Sequence, residues 1–250
     1  MRKFVLGFSL CLVVFLVTAS SVMGAPVPCP STGSGAGGAA TYQDLLNTNA
    51  GGGCFIADKV FSSFTFVGNA TGGATPLTAS QMSYLIDNLV PIAGGTVLVG
   101  FEFSMSLNAT AGTSNDIHIT YNVQQVTGIA DITSVHNLLT GIGTGGGVAS
   151  VAEVWCTGLN LTGTCNPLNT SNPGSPHNDA TFAGISQLSI SKDINVTAGP
   201  NGFASISGLR NAIDETRGPS GIPEPATVSY LLGGAGLLAL GWLRRKSTKS

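Results

Sequence analysis

Charged residues are scarce in this sequence, and basic residues are scarcest in its centre. Only 9% of the 250 residues are charged. Between Ala25 and Gly221, four basic residues stand against eleven acidic ones, which gives that stretch a net charge of −7. A surface that binds nucleic acid needs clustered lysine and arginine to neutralise the phosphates. We therefore expect no nucleic-acid partner.

Motifs of the common catalytic and nucleotide-binding classes are also missing. There is no GxSxG nucleophile elbow, no HExxH zinc motif and no EF-hand loop. Gly141–Gly146 matches GxGxxG by letter, but the dinucleotide-binding motif requires a helix after the glycines. Val148–Trp155 instead has the composition of a β-strand. We therefore predict a hairpin loop at these glycines and no bound cofactor.

Histidine is rare in the sequence, which has only His118, His136 and His177. Asp116 and His118 are two residues apart, so on a strand their side chains point the same way. Such a pair is half of a metal site or an acid–base pair, although the polar outer face of a strand is the simpler explanation. His177–Asp179 lies in a segment rich in proline and asparagine, which predicts a solvated turn. We expect no catalytic, cofactor-binding or metal-binding residue.

Two glutamates, Glu102 and Glu153, lie in the middle of the sequence on predicted strands. A glycoside hydrolase uses two carboxyl groups that flank the scissile bond in one cleft. Acidic residues on distant strands can meet in this way, so a hydrolase is an alternative function. Both side chains are nevertheless predicted to face solvent.

Four cysteines remain once Cys11, in the N-terminal apolar run, is set aside. Four cysteines allow three pairings. We favour Cys29–Cys54 and Cys156–Cys165 because neighbours along the chain meet at the smallest loop-closure cost. Free thiols and a metal site are the alternatives, although no CxxC or histidine-rich spacing supports zinc.

Alternation of apolar and polar residues with a period of two dominates the centre of the sequence. Val97–Leu107, Ile117–Val123 and Leu188–Val196 follow this pattern, which predicts strands with one buried and one wet face. Phe55–Val67 and Val148–Thr157 are rich in β-branched and aromatic residues, so we predict strands there too.

Helical periodicity is limited to short segments. Thr41–Asn47 is predicted to form one helical turn capped by Thr41, whereas Gln81–Val90 fits either a short helix or a strand. Clusters of glycine and asparagine predict the turns between strands. These clusters are Gly68-Asn69, Gly94-Gly95, Gly112–Asn115, Gly141–Gly147, Asn166–Asn178 and Gly199–Gly202. The pattern predicts an all-β fold, an antiparallel β-sandwich over residues 41–209.

The two ends of the sequence differ from this centre. Residues 1–24 begin with two basic residues, continue with an apolar run and end with small residues, which predicts a helical, cleaved secretory signal peptide. An uncleaved anchor is the alternative. Residues 25–40 are rich in glycine, serine and proline and are predicted to be flexible. Residues 210–221 are a predicted linker to a C-terminal tail at residues 222–250.

The tail has three parts in a definite order. Its opening motif consists of Pro223, Glu224 and Pro225. Residues 226–243 carry no charge and would span about 27 Å as a helix, close to the thickness of a bilayer core. The basic stop that follows consists of Arg244, Arg245 and Lys246. Positive charge is retained on the cytoplasmic side of a membrane, so we expect a single transmembrane helix with the body outside.

This order and spacing resemble the sorting signal of PEP-CTERM proteins, and a plain tail anchor is the alternative. The resemblance covers residues 222–250 and implies that an exosortase, a membrane transpeptidase-like enzyme, recognises Pro223–Pro225 and cleaves nearby. It also implies a Gram-negative bacterium that makes exopolysaccharide or biofilm matrix. The exported precursor would be held in the inner membrane with its body in the periplasm. Sorting would then move the body to the cell surface or extracellular matrix.

We expect, on these grounds, a secreted and surface-sorted protein without enzymatic activity that associates with exopolysaccharide. An aromatic residue exposed on a sheet face, such as Tyr121 or Trp155, would be the candidate sugar platform, although core packing is the simpler role for each. A secreted carbohydrate-active hydrolase with an unrecognised carboxylate site is the alternative function.

Overall fold

The computed structural model describes residues 25–92, 96–126 and 130–217. The predicted signal peptide, the Gly94-Gly95 turn, the sorting motif and the basic stop lie outside these ranges. The predicted membrane span at residues 226–243 lies outside them as well. Within the described ranges, no helix is long and apolar enough to cross a membrane.

Strands make up most of the described chain. They are β1 (Val27–Pro28), β2 (Cys54–Ile56), β3 (Lys59–Thr71), β4 (Ser83–Ile92), β5 (Thr96–Thr110), β6 (Ser114–Gln125), β7 (Ala130–Thr144), β8 (Val148–Cys156), β9 (Cys165–Pro167), β10 (Thr170–Asn172), β11 (His177–Ile185), β12 (Gln187–Thr197) and β13 (Phe203–Arg217). Helix α1 covers Tyr42–Thr48, and short 3-10 turns cover Ala36–Gly38, Asn49–Gly51 and Ala79–Gln81.

The strands form two sheets. The larger, eight-stranded sheet has the order β1-β2-β3-β6-β12-β8-β10, with β9 also paired to β8. The five-stranded sheet has the order β11-β7-β13-β5-β4. Neighbouring strands are antiparallel apart from the short β1–β2 pair. The body is therefore built as the predicted all-β arrangement of two sheets, consistent with a β-sandwich.

The apolar faces of the two sheets meet in one core. On β5 the buried positions recur at every second residue, as the alternation predicted. Phe101 of this strand contacts Phe61 of the larger sheet with ring centroids 4.8 Å apart, and its ring also meets Tyr84 at 5.4 Å. Aromatic rings in such edge-to-face contacts add attraction beyond the burial of their surface.

Helix α1 begins at the predicted cap. The Asp44 carboxylate accepts hydrogen bonds from the backbone N–H and the hydroxyl of Thr41, both at 2.8 Å, and completes a capping box. Tyr42 and Leu45 on one face of the helix are buried. Tyr42 packs against Phe103 with ring centroids 5.8 Å apart, so α1 is packed against the aromatic core.

An ion pair lies inside the sandwich. Lys192 of β12 and Glu153 of β8 stand opposite each other in the register of the larger sheet, and both are fully buried as they form a salt bridge. Burial raises the pKa of Glu153, although Lys192 opposes the rise. Burial likewise lowers the pKa of Lys192 against the opposing pull of Glu153. Removing either partner would leave an unpaired group in the interior.

Two asparagines of the five-stranded sheet complete this polar network. Lys192 Nζ donates to Asn137 Oδ1 at 3.4 Å, and Asn211 Nδ2 donates to Glu153 at 3.4 Å. Tyr121 of β6 donates its hydroxyl proton to Asn211 Oδ1. The network therefore joins the two sheets through hydrogen bonds as well as through apolar packing.

Several boundaries differ from their prediction. Gly68 and Asn69 lie inside β3, because both sheet-face alternation and pairing with β6 continue to Thr71. The weakly patterned segment 81–90 is mostly strand β4. The segment 25–40, predicted to be flexible, is held by β1 and by the buried Cys29 and Ala40. The predicted linker from residue 210 begins inside β13.

The disulfides connect Cys29 with Cys54 and Cys156 with Cys165, which is the favoured pairing. The first ties the start of the body to β2. The second joins β8 to the short strand β9, whose registers already place the two cysteines opposite each other. The local pairing therefore agrees with the strand register.

Lys192→Met tests the buried ion pair. The change leaves the Glu153 carboxylate without its cation, so we expect a loss of about 3–5 kcal/mol in the free energy of unfolding. The double variant with Glu153→Leu removes both charges and should lose less than the single variant. Urea unfolding at pH 7, monitored by circular dichroism, measures the free energy of unfolding of each variant. Glu153→Leu alone completes the cycle, and a double-variant loss equal to the sum of the two single-variant losses would show that the two groups are not coupled.

Candidate functional site

A group of polar side chains lies on the outer face of the five-stranded sheet. It is positioned by three neighbouring strands, β11, β7 and β13. In their registers Asp179 stands opposite His136, and Ser134 stands opposite Asp214. His177 lies two residues before Asp179 on β11, so it projects from the same face. We call His136, His177, Asp179, Asp214 and Ser134 the histidine cluster.

His136 is the centre of the histidine cluster. Its Nδ1 lies 2.6 Å from Asp179 Oδ1, and its Nε2 lies 2.8 Å from Asp214 Oδ2. The hydroxyl of Ser134 is 2.9 Å from the same Nε2. Each ring nitrogen therefore faces a carboxylate. This arrangement fixes the orientation of the imidazole ring.

His177 completes the cluster from the edge strand. Its Nε2 lies 3.0 Å from Asp179 Oδ1, and its side chain is 55% exposed. The same carboxylate oxygen therefore faces one nitrogen of each histidine. Another carboxylate oxygen of the cluster, Asp214 Oδ1, is buried and has no hydrogen-bond partner among the described residues.

A shallow cleft of about 110 Å³ adjoins the cluster. Its lining consists of Leu98, His136, Leu138, His177, Arg210 and Ala212. Arg210 forms a salt bridge with Asp87 of β4, which holds the guanidinium across β5. The cleft thus combines apolar side chains with a few convergent polar groups, as small ligand sites do.

Ser134, His136 and Asp179 have the connectivity of a hydrolase triad, in which a histidine bridges a hydroxyl and a carboxylate. Two features differ from a working triad. Ser134 is only 2% exposed, so its hydroxyl does not face the cleft. Asp214 also occupies the nitrogen that would accept the serine proton. The cluster therefore lacks the accessible serine–histidine contact that a working triad requires.

Asp116 and His118, the pair singled out in the sequence, lie on β6 in the opposite sheet. His118 Nε2 is 2.9 Å from Ser191 Oγ, and Asp116 forms a side-chain hydrogen bond with Asp193. They are therefore part of a polar outer strand face, the simpler of the two explanations. Sharing a proton with Asp116, together with burial, raises the pKa of Asp193 to about 6.

The two mid-sequence glutamates are not brought together. Glu153 is buried against Lys192, so the prediction that it faces solvent was wrong, because β8 turns this position toward the interior. Glu102 is exposed on β5, opposite Arg210 in the register. Tyr121 and Trp155 are both buried. Neither is the exposed sugar platform, and both pack in the core.

The histidine cluster was missed in the sequence for two reasons. The segment His177–Asp179 was predicted to be a turn because prolines and asparagines surround it, but it opens strand β11. Strand β7, which carries His136, was not predicted. The available signal was two polar alternations, Ser134 with His136 and His177 with Asp179. Only strand pairing shows that they are neighbours.

Gly141–Gly147 was predicted to be a hairpin loop and not a nucleotide site. The turn between β7 and β8 lies at Gly145–Gly147, so the first glycines belong to β7. A strand follows the glycines, as predicted. Gly143 approaches the backbone of Gly147 so closely that an added Cβ would lie 2.3 Å from its carbonyl oxygen. Close backbone packing therefore explains the glycine at this position.

Comparison with known proteins identifies the C-terminal tail. Residues 221–246 match the family model of the PEP-CTERM protein-sorting motif, which confirms the resemblance seen in the sequence. No curated protein matches the chain.

Solved structures with some similarity include TmCBM61 in complex with beta-1,4-galactotriose, at 9% identity and a TM-score of 0.27, over 53% of this chain and 88% of that one. The family GH12 endoglucanase 3 of Trichoderma harzianum has 8% identity and a TM-score of 0.20, over 60% and 98%. A point mutant of CBM29-2, a family 29 carbohydrate binding module, has 10% identity and a TM-score of 0.20, over 63% and 99%. These scores are too low to carry an argument about fold or ligand.

Asp193→Asn tests the shared proton on the larger sheet. A raised pKa in the folded state means that this group stabilises the fold at low pH and that the contribution is lost as pH rises through about 6. We therefore expect the free energy of unfolding of the variant to rise, relative to that of the unchanged protein, as pH increases from 4 to 7. Because Asp193 is exposed, solvent screening limits the gain to about 1 kcal/mol or less.

Urea unfolding at several pH values measures this difference. Asp116→Asn removes the other half of the pair and should flatten the pH profile in the same way. If Asp193→Asn and the unchanged protein have parallel profiles, the two carboxyl groups do not share a proton.

Proposed function

Because the chain carries a PEP-CTERM protein-sorting motif at residues 221–246, we propose that it is an exported exosortase substrate that is delivered to the cell surface or extracellular matrix. The motif is the observation that carries this proposal. The exosortase recognises Pro223, Glu224 and Pro225, and cleavage nearby frees the body from its anchor. The apolar segment 226–243 and the basic stop hold the precursor in the membrane until then.

The distance between the body and the motif suits this role. Strand β13 ends at Arg217, so residues 218–222 alone separate the sheet from Pro223. A fully extended chain of this length reaches about 17 Å, which keeps the motif near the body. The prolines disfavour helix at and before their positions, so the motif is suited to enter a protease site in an extended form.

We further propose that the body associates with extracellular polysaccharide and has no enzymatic role. The cleft on the five-stranded sheet supports the first part, because apolar side chains and hydrogen-bonding groups converge there. This cleft, and not an exposed Tyr121 or Trp155 as the sequence suggested, is the proposed sugar-binding surface. The burial of Glu153 against Lys192 supports the second part. The net charge of −7 over residues 25–221 favours a neutral over an acidic polysaccharide.

Replacement of Pro223, Glu224 and Pro225 by alanine tests the sorting proposal. We expect the variant to remain as an uncleaved precursor in the membrane fraction of the host, while the unchanged protein is shortened and leaves that fraction. Immunoblotting of cell fractions measures both effects. Thr216→Ala, upstream of the motif, is the control and should be processed normally. A triple variant processed as fast as the unchanged protein would contradict exosortase recognition of this motif.

Leu138→Glu tests the cleft as the polysaccharide surface. Leu138 is 38% exposed and lines the cleft, and Val154 is 38% exposed on the outer face of the other sheet. Val154→Glu is therefore a matched control. We expect Leu138→Glu to lower retention on immobilised host exopolysaccharide at least about tenfold, a loss of about 1.4 kcal/mol. Val154→Glu should be retained normally.

Two outcomes of this experiment would contradict the proposal. If the unchanged protein is not retained on the polysaccharide, the association is wrong. If incubation of the protein with the polysaccharide releases new reducing ends, the hydrolase alternative replaces it.

A further inference from the structure

We propose that His136, His177 and Asp179 bind one divalent transition-metal ion, with zinc as the best-matched metal, on the outer face of the five-stranded sheet. The inference goes beyond the proposed sorting and polysaccharide association and depends on neither. It also departs from the expectation, drawn from the sequence, that the protein has no metal-binding residue.

The donor atoms are already close together. One ligand atom from each of the three residues lies within 4.8 Å of the other two. His136 Nδ1 is 2.6 Å and His177 Nε2 is 3.0 Å from Asp179 Oδ1. Zinc bonds of about 2.0–2.1 Å in a tetrahedral site place donors about 3.3 Å apart. The observed spacing is therefore close to that of a tetrahedral site, and only the exposed His177 and Asp179 need to adjust around His136.

The strands hold these donors in place. His177 and Asp179 occupy alternate positions at the start of β11, and Asp179 pairs with His136 of β7 in the sheet register. The β7 backbone is fixed from inside the sandwich, because Asn211 Nδ2 donates to the carbonyl oxygen of His136 at 3.0 Å. Asn211 is itself part of the buried network around Glu153. The ligands thus belong to regular strands and not to a loop.

A second set of hydrogen bonds orients the central ligand. Histidines that bind metals usually donate their other ring N–H to a carboxylate, which sets the tautomer and strengthens the ligand. His136 has this arrangement, since its Nε2 lies 2.8 Å from Asp214 Oδ2 while Nδ1 faces Asp179. The contact between His136 and Asp214 is an observation independent of the distances between the three donor atoms. It distinguishes the cluster from exposed acidic groups that merely lie near each other.

Charge balance points to a cation. Asp179 and Asp214 lie at the two ring nitrogens of His136, and a divalent ion bound there would offset their carboxylate charge. Two imidazoles and one carboxylate suit zinc, copper or nickel better than calcium or magnesium, which prefer all-oxygen sites. The cysteines do not compete, because Cys29, Cys54, Cys156 and Cys165 are joined in disulfides.

The geometry also leaves one side of the ion open. Three protein ligands are one fewer than the four of a closed structural zinc site. His136 and His177 both line the cleft, so the remaining position faces it. Water or an oxygen of a bound ligand would take that position.

Zinc titration of the full chain in detergent, without a polyhistidine tag and after dialysis against EDTA, tests the proposal. We expect calorimetry with zinc chloride to give one site per chain. His177→Ala and Asp179→Asn should weaken binding about a hundredfold. Asp214→Asn should weaken it about 10- to 100-fold, the effect of losing an orienting carboxylate.

Matched controls come from the opposite sheet. His118→Ala and Asp193→Asn remove a histidine and an aspartate that lie outside the cluster and should leave zinc affinity unchanged. Cobalt chloride gives a second readout, since a tetrahedral site with cobalt absorbs visible light and His177→Ala should lose that absorption. His177 is exposed, so this variant should keep the unfolding midpoint of the metal-free protein.

Two results would overturn the metal site. One is the absence of stoichiometric zinc binding by the unchanged protein. The other is equal affinity in the cluster variants and the opposite-sheet controls, which would show that zinc binds elsewhere. Neither result bears on sorting, which the alanine replacement of Pro223–Pro225 tests separately.

Discussion

The Lys192 ammonium and the Glu153 carboxylate are buried together between the two sheets, where neither has access to water. Such a pair is tolerated only when the partners and their remaining hydrogen bonds are all in place. Asn137 and Asn211 supply these bonds from the opposite sheet. These hydrogen bonds join β7 and β13 of the five-stranded sheet to β8 and β12 of the larger sheet.

The buried polar network also fixes the backbone of a residue on the outer surface, His136. Asn137 lies next to His136 on β7, and Asn211 holds the His136 carbonyl oxygen. Successive residues of a strand project to opposite faces. The same backbone segments therefore present asparagines to the buried ion pair and His136 to the cleft. Asn211 therefore links the backbone of the candidate ligand His136 to the buried ion pair.

The two ends of the body have contrasting physical roles. The N-terminal segment is tied to the sheet by the Cys29–Cys54 disulfide. The C-terminal strand β13 is central in its sheet and leads within a few residues to the PEP-CTERM motif at residues 221–246. The folded sheet therefore ends a few residues before the position where processing is proposed.

The sequence alone determined features that depend on neighbours along the chain. Alternation predicted β5, β6 and β12 because one buried face repeats every second residue, and the Thr41 cap and the sorting tail are equally local. Tertiary structure decided which residues meet. Glu153, on the inward face of β8, met Lys192 because β8 pairs with β12, and His136 met Asp179, far away in sequence, because β7 pairs with β11. Pairing between distant strands depends on the energy of the whole sandwich, and no local pattern encodes it.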